Sequence, residues 1–476
     1  MQLFDAISKQ PVYNEALLKA RFKGAPFIKR LPAVKNYLFA QITEALFQLH
    51  TSETSYAAGA REIVVVNLLI RKGMFLTVRK KLIQLYNKLI EQEMFLLALE
   101  TIAIQKQLLR LINPPDVFSE IKALANSEKK LLEQYSNLSA YQYLNDLYDI
   151  KRRRVLHSRT IKEELFFKNL LAKPLLTNEK NAKSFEALYL FHRINSNCYH
   201  VIGNLKKTMY HRDKLVQLFE SHPKLTIIQV SKYSGVLFDL AVAHRSLGNS
   251  DEALKINTRL KSLNTIYPQF RTENNKAVIF KRSAVVESDV LQFAGRFAEG
   301  VQCISYWEKN LSRYKAFIEK DIELIIRYNI ALLYYGDGKL RKALQCLNSI
   351  INENEHDYVQ DVLCFARIFR MFIHIDIGND ELIDSIVRST SNYLKKRKRL
   401  YTTENLLLKF AMQLTKPLTL EKQRGVYRDL LMQLEKLKKN RFEQSALEYF
   451  DCVTWLKVQL TGRSFAEVYQ EKKMMP

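Results

Sequence analysis

Glycine and proline are scarce in this chain, with 13 and 10 in 476 residues. Runs of β-branched residues with period two between turn signals are almost missing too, which excludes a sheet-rich fold and leaves helix nearly throughout. The five cysteines, Cys198, Cys303, Cys346, Cys364 and Cys452, lie far apart with no Cys-x-x-Cys. They read as small apolar core residues of a reducing compartment rather than a disulfide framework. Long hydrophobic runs are also missing. The window IVVVNLLI at Ile63 to Ile70 stops at Arg71 and Lys72, short of the roughly 20 residues a bilayer crossing needs. The start MQLFDAISKQ carries Asp5 and no apolar stretch of signal-peptide length, so a cytoplasmic protein with no membrane partner is expected.

Chemistry-bearing motifs are missing in the same way. Gly338-Lys339 is followed by Leu340 where a phosphate loop needs Ser or Thr, and Leu333 stands where its first Gly belongs. No dinucleotide-binding glycine pattern follows a strand, and neither Gly-x-Ser-x-Gly nor His-Glu-x-x-His occurs. His192, Cys198, His200 and His211 are ligand-type residues, but their spacing fits no zinc pattern. His374 and Asp376 are two apart on a helix and point to different faces. No catalytic residue, metal ligand or cofactor is assigned, and an enzyme is not expected.

Basic charge is plentiful. Lys and Arg total 74 against 49 Asp and Glu, a formal charge of +25, so the long-range field draws anionic partners. The densest stretch is 390–442, with fourteen Lys/Arg against four acids. Its candidate anion-binding residues are Lys395, Lys396, Arg397, Lys398, Arg399, Lys438, Lys439 and Arg441, since each phosphate neutralised by such side chains releases counterions. A second basic unit is N-terminal: helices near Leu3–Ser8, Asn14–Phe22 and Pro32–Leu49. It reads as a cap on a helical stack or as a helix-turn-helix-like unit, with Lys29, Arg30 and Lys35 as candidate DNA contacts. The connection Lys23 to Leu31 is longer than the tight turn such motifs use, which favours the cap.

Apolar periodicity then gives helices over 56–112, broken at Gly73 and Glu91 to Glu93 and ended by Pro114-Pro115, and one long or kinked helix pair over Phe118 to Arg154. A polar segment with Pro174 spans Leu170 to Lys183 and is a candidate bend or boundary between an N-terminal and a C-terminal half. Beyond it, helical hairpins recur. Gly248, Gly295, Gly338 and Gly378 each sit in a turn, followed five residues on by Ala253, Gly300, Ala343 and Ile383. Their separations are 47, 43 and 40 residues, and Gly73 with Val78 is a divergent member. In the second helix of the Gly338 hairpin, Leu340, Ala343, Leu344, Leu347, Ile350 and Ile351 share one face. Such a hairpin buries that face only by stacking on others.

These hairpins resemble the tetratricopeptide repeat, whose second helix begins Gly-x-aromatic/aliphatic-x-x-Ala. Gly295-Arg296-Phe297 and Gly338 to Ala343 match it best. The family repeats at about 34 residues, so the longer period here implies longer helices or insertions. LFDAI at Leu3, VKNYL at Val34, RKGMF at Arg71, SNYLKKRKRLYTTE at Ser391 and EYFDCVTWL at Glu448 together are similar to an uncharacterised bacterial family with tetratricopeptide-like helical repeats. The expected fold is all-α, a right-handed superhelical solenoid of antiparallel helix pairs. It would comprise an N-terminal unit (1–50), divergent repeats (51–180) and a repeat array with basic C-terminal helices (181–476). The expected function is a scaffold that binds a protein or peptide, an acidic one favoured, with nucleic acid as the alternative partner.

Overall fold

The computed structural model describes residues 2–10, 12–50, 55–152, 160–353, 359–444 and 446–474. Among them every regular element is helical. The chain divides into two compact units, Met1–Tyr135 and Ser136–Pro476.

The first unit starts with α1 (Gln2–Ser8), α2 (Glu15–Arg21) and α3 (Leu31–His50). Asn14 caps α2 by accepting the Leu17 N–H. α4 (Ser55–Arg71), α5 (Phe75–Glu91) and α6 (Phe95–Ile112) follow as antiparallel neighbours, and α7 (Val117–Arg152) begins after Pro114-Pro115. Where a long or kinked helix pair was expected, a single 36-residue helix runs, and the division between the units falls inside it.

In the second unit come α8 (Ile161–Leu171), α9 (Pro174–Thr177), α10 (Phe185–Val201), α11 (Leu205–Glu220), α12 (Pro223–Ile228), α13 (Val230–Ser246) and α14 (Ser250–Ile266). Then follow α15 (Glu273–Phe293), α16 (Phe297–Arg313), α17 (Lys320–Gly336), α18 (Leu340–Ile351), α19 (Gln360–Ile377) and α20 (Asp380–Lys396). The last are α21 (Thr402–Leu414), α22 (Leu420–Leu437), α23 (Arg441–Gln444), α24 (Ala446–Tyr449), α25 (Cys452–Thr461) and α26 (Phe465–Met474). The polar bend at 170–183 lies within this unit, strapped to α7: Tyr141 Oη donates to Leu175 O at 2.7 Å and Asn137 Nδ2 to Asn181 O at 3.0 Å.

One turn type organises both units. Gly73, Gly203, Gly248, Gly295, Gly338 and Gly378 all have positive φ, and each is followed by a residue whose N–H donates to a carbonyl five positions back. Lys339 donates to Tyr334 O at 2.8 Å and Asn379 to His374 O at 3.0 Å. This left-handed closure satisfies the last carbonyls of the first helix and reverses the chain at once. Glu93 and Lys398 adopt the same geometry without being glycine, at φ 54° and 55°. Both stand 20 residues after a turn glycine, where a second helix passes to the next hairpin.

Five residues beyond each turn the residue is buried: Val78, Ala98, Thr208, Ala253, Gly300, Ala343, Ile383 and Thr403. Helix α17, for example, comes so close to α16 that a Cβ on Gly300 would stand 2.5 Å from the Leu333 side chain, and one on Gly336 2.2 Å from the Phe297 ring. Successive hairpins pack through both helices, and the first helices α13, α15, α17 and α19 also line up against one another. Their shared face is what positions the candidate site.

Candidate functional site

Two features occupy the first-helix face of the second unit: a cavity and the end of the chain. Residues 446–474 return across this face. The Tyr328 hydroxyl on α17 donates to Tyr449 O at 2.9 Å, and Tyr449 stacks on Phe365 of α19 at 4.8 Å between ring centroids. Phe450 stacks on Phe369 at 4.6 Å and Trp455 meets Phe372 edge-on at 4.8 Å. These rings form one buried cluster whose geometry suits aromatic pairs. At the far end, Tyr469 and Gln470 of α26 donate to the carbonyls of Phe293 and Gly295, sealing the turn between α15 and α16.

A half-buried carboxylate fixes this returning segment. Asp376 on α19 accepts from Tyr335 Oη at 2.7 Å, Trp455 Nε1 at 2.9 Å and Gln459 Nε2 at 2.8 Å. Burial pushes its carboxyl up to about 6, against the opposing pull of the three donors. His374, its neighbour in sequence, points elsewhere, with Nδ1 beside Asn379 Nδ2 at 3.1 Å.

The cavity, about 440 Å³, is framed by α7, α10, α11, α13, α15, α17, Val362 of α19 and the Glu448-Tyr449 segment. Its charges are largely paired. Arg193 bonds Asp149 at 3.0 Å, and Arg245 reaches Asp289 at 2.9 Å and Glu448 at 3.7 Å while lying over the Phe293 ring at 4.3 Å. Burial raises the Glu448 carboxyl, which the Arg245 charge opposes. Arg212 differs. It is 3% exposed, yet its Nε and Nη1 have no hydrogen-bond partner. Burial lowers its pKa against the favourable charge of Asp239.

Of His192, Cys198, His200 and His211, whose spacing fits no zinc pattern, two histidines meet. His192 Nδ1 lies 2.9 Å from His211 Nδ1, and both rings are buried. Burial, with the partner ring's charge second, pushes His192 down to about 3, and burial pushes His211 down to about 4. One neutral ring donates and the other accepts. Cys198 is buried nearby in sequence with its thiol pushed up to about 12. Among the described residues no group of three His, Cys, Asp or Glu side chains is placed to hold a metal ion, and no helix is long and apolar enough to cross a membrane.

No protein-family model matches this chain. No curated protein matches it in sequence.

The basic candidates are partly gathered. Thr403, just beyond the Lys395–Arg399 run, donates its backbone N–H to Glu443 at 3.0 Å, which brings that run and the end of α22 to one end of the helix layer. Lys395, Lys396, Lys398 and Lys439 are exposed there. Arg397 lies over Tyr393, Arg399 is tied to Asp361 at 3.2 Å, and Lys438 to Glu435 at 3.1 Å. The Arg441 side chain lies outside the described residues. At the N-terminus Lys29 and Arg30 are exposed, but Lys35 is held by Glu15 at 2.6 Å and Tyr13 at 3.1 Å, and so links α3 to α2.

Sequence reading missed Gly203, because its plus-five residue is Thr208 rather than an apolar one; the hydroxyl is silenced by bonding Asn204 O at 2.9 Å. It placed a break at Glu91 to Glu93 without seeing there the same turn as at the glycines, and it missed Lys398, because neither Glu93 nor Lys398 is glycine. It missed Arg212 and Asp239 because only packing brings α11 and α13 to one cavity.

Proposed function

We propose that this chain is a non-catalytic scaffold, a right-handed superhelical solenoid of tetratricopeptide-like hairpins of the kind found in the uncharacterised bacterial family it resembles. It holds a protein or peptide segment on the first-helix face of its array. The observation that carries this reading is residues 446–474: a short-helical segment is already seated there through stacked rings, backbone hydrogen bonds and the Arg245–Glu448 contact. A face that binds one such segment has the chemistry to bind another, through aromatic anchors and arginines. The positive charge of the chain steers acidic partners towards it. The cytoplasm is the setting that fits unpaired cysteines.

The test is photo-crosslinking of the full chain in its own cells, with a photoreactive residue at Asn197 in the cavity wall or at Lys309 on exposed α16. A protein captured reproducibly from position 197 and not from 309 supports the reading; no protein captured from either position removes it. The exposed lysines gathered at the end of α20 and α22 favour a second reading, binding of nucleic acid. Retention on DNA at low salt that is lost at high salt would support it, and failure to bind DNA at low salt would end it.

A further inference from the structure

The 440 Å³ cavity falls within the size range of small-molecule sites. Arg152, Arg193, Arg212 and Arg245 face Asp149, Asp239, Asp289 and Glu448 across it, a formally neutral lining. A polyanion gains no net attraction there, and an apolar ligand would leave the buried guanidinium of Arg212 unsatisfied. Arg193 and Arg245 pair with Asp149, Asp289 and Glu448, and two further side chains of opposite sign stand outside those pairs. Arg212 on α11 has free donors at Nε and Nη1. Asp239 on α13 lines the same cavity, and no ion pair joins the two. An unpaired, nearly inaccessible cation is costly to keep without something to receive its donors. Tyr148, Phe238 and Tyr328 supply an aromatic wall beside the two charges.

We propose that this cavity binds a small zwitterion of the free amino-acid class, its carboxylate on Arg212, its ammonium on Asp239 and its side chain against the aromatic wall. The ligand bridges two opposite charges that the fold holds apart, and it satisfies donors the protein leaves open. This site is independent of the protein-binding reading, since it needs no macromolecular partner.

The test uses the full chain and a panel of free amino acids, each beside its N-acetyl and its carboxamide derivative, followed by thermal unfolding and calorimetry. At least one free amino acid should bind and raise Tm. Its two derivatives should each bind about tenfold to a hundredfold more weakly, the scale of one charged hydrogen bond. Arg212→Met should abolish binding of the zwitterion. Asp239→Asn should weaken the zwitterion to the level of its N-acetyl form while leaving that form unchanged, an equality that general destabilisation does not produce. Arg212→Met removes an unpaired buried charge and should fold; if it does not, the derivatives on the unmodified chain and Asp239→Asn decide. Binding by no free amino acid, binding indifferent to both substitutions, or equal binding of inorganic phosphate would overturn the proposal.

Discussion

In Met1–Tyr135, Thr101 is the buried polar side chain found among the described residues, its hydroxyl bonded to Ala98 O at 2.7 Å. In Ser136–Pro476 the interior holds His192, Asn195, His211, Arg212, Asn257, Asn329, Glu404 and Glu443. The outsides contrast as well. The first unit, well under half the length of the second, leaves Phe118 87%, Leu76 75%, Phe39 69% and Tyr37 67% exposed. The second covers its first-helix face with its own residues 446–474. Both units use the same hairpin turn. Repetition of a hairpin is therefore enough to make a stack, whereas a site requires several polar groups that the stack must bury and partner, and among the described residues the second unit gathers many of them where the first buries Thr101.

The largest expected effect probes how tightly each unit is closed. Gly336→Ala, whose Cβ would meet the Phe297 ring at 2.2 Å, should cost about 3 kcal/mol of unfolding free energy. The counterpart Gly59→Ala in the first unit would place its Cβ 3.0 Å from methyl groups of Leu89 and Leu97. Those side-chain ends yield, so Gly59→Ala should fall within about 1 kcal/mol of the parent, with the helix propensity of Ala offsetting the crowding. Denaturant unfolding of the two variants checks the pair; equal losses would erase the proposed difference in closure.

Acid should act on the second unit. Both buried rings of the His192–His211 pair have pKa values below the ordinary 6.5, so between pH 6.5 and about 4 the unfolded chain takes up protons that the folded chain refuses. Stability is full above pH 6.5 and is lost as pH falls, by roughly 2 kcal/mol between pH 7 and 5 for one such ring. Hydrogen exchange should report this loss in α10 and α11, and the double variant His192→Leu, His211→Leu should flatten it. An unchanged slope in that variant would assign the acid response elsewhere.

The smallest effects test whether the non-glycine turns are the same device. Glu93→Gly in the first unit and Lys398→Gly in the second should each stabilise by up to about 1 kcal/mol, since a side chain at positive φ is strained where glycine is not. Gly338→Ala should lose a similar amount. Thermal unfolding separates these signs. Stabilisation at 398 alone would mean that residue 93 holds its turn by side-chain contacts.

Much of the architecture was legible in advance. Helix boundaries at Pro114-Pro115 and the turn glycines could be read because each of those residues acts on its own backbone. Gly338 and Ala343 marked turn and close contact for the same local reason, and residue 343 is fully buried. The site was far less legible. Asp376 looked like half of an unproductive pair with His374, yet its partners Trp455 and Gln459 lie some 80 positions on.

The sequence by itself determined that this protein is helical and where its hairpins reverse, because hydrophobic period and left-handed turns are set by residues within one or two turns of each other. Tertiary structure alone decided which charges meet. Arg245 finds Asp289 and Glu448, His192 finds His211, and Arg212 is buried without a partner beside Asp239. Those outcomes depend on how α7, α10, α11, α13 and the returning chain end stack, and the energy that selects the stack comes from apolar burial, which is indifferent to where the polar groups it encloses will point.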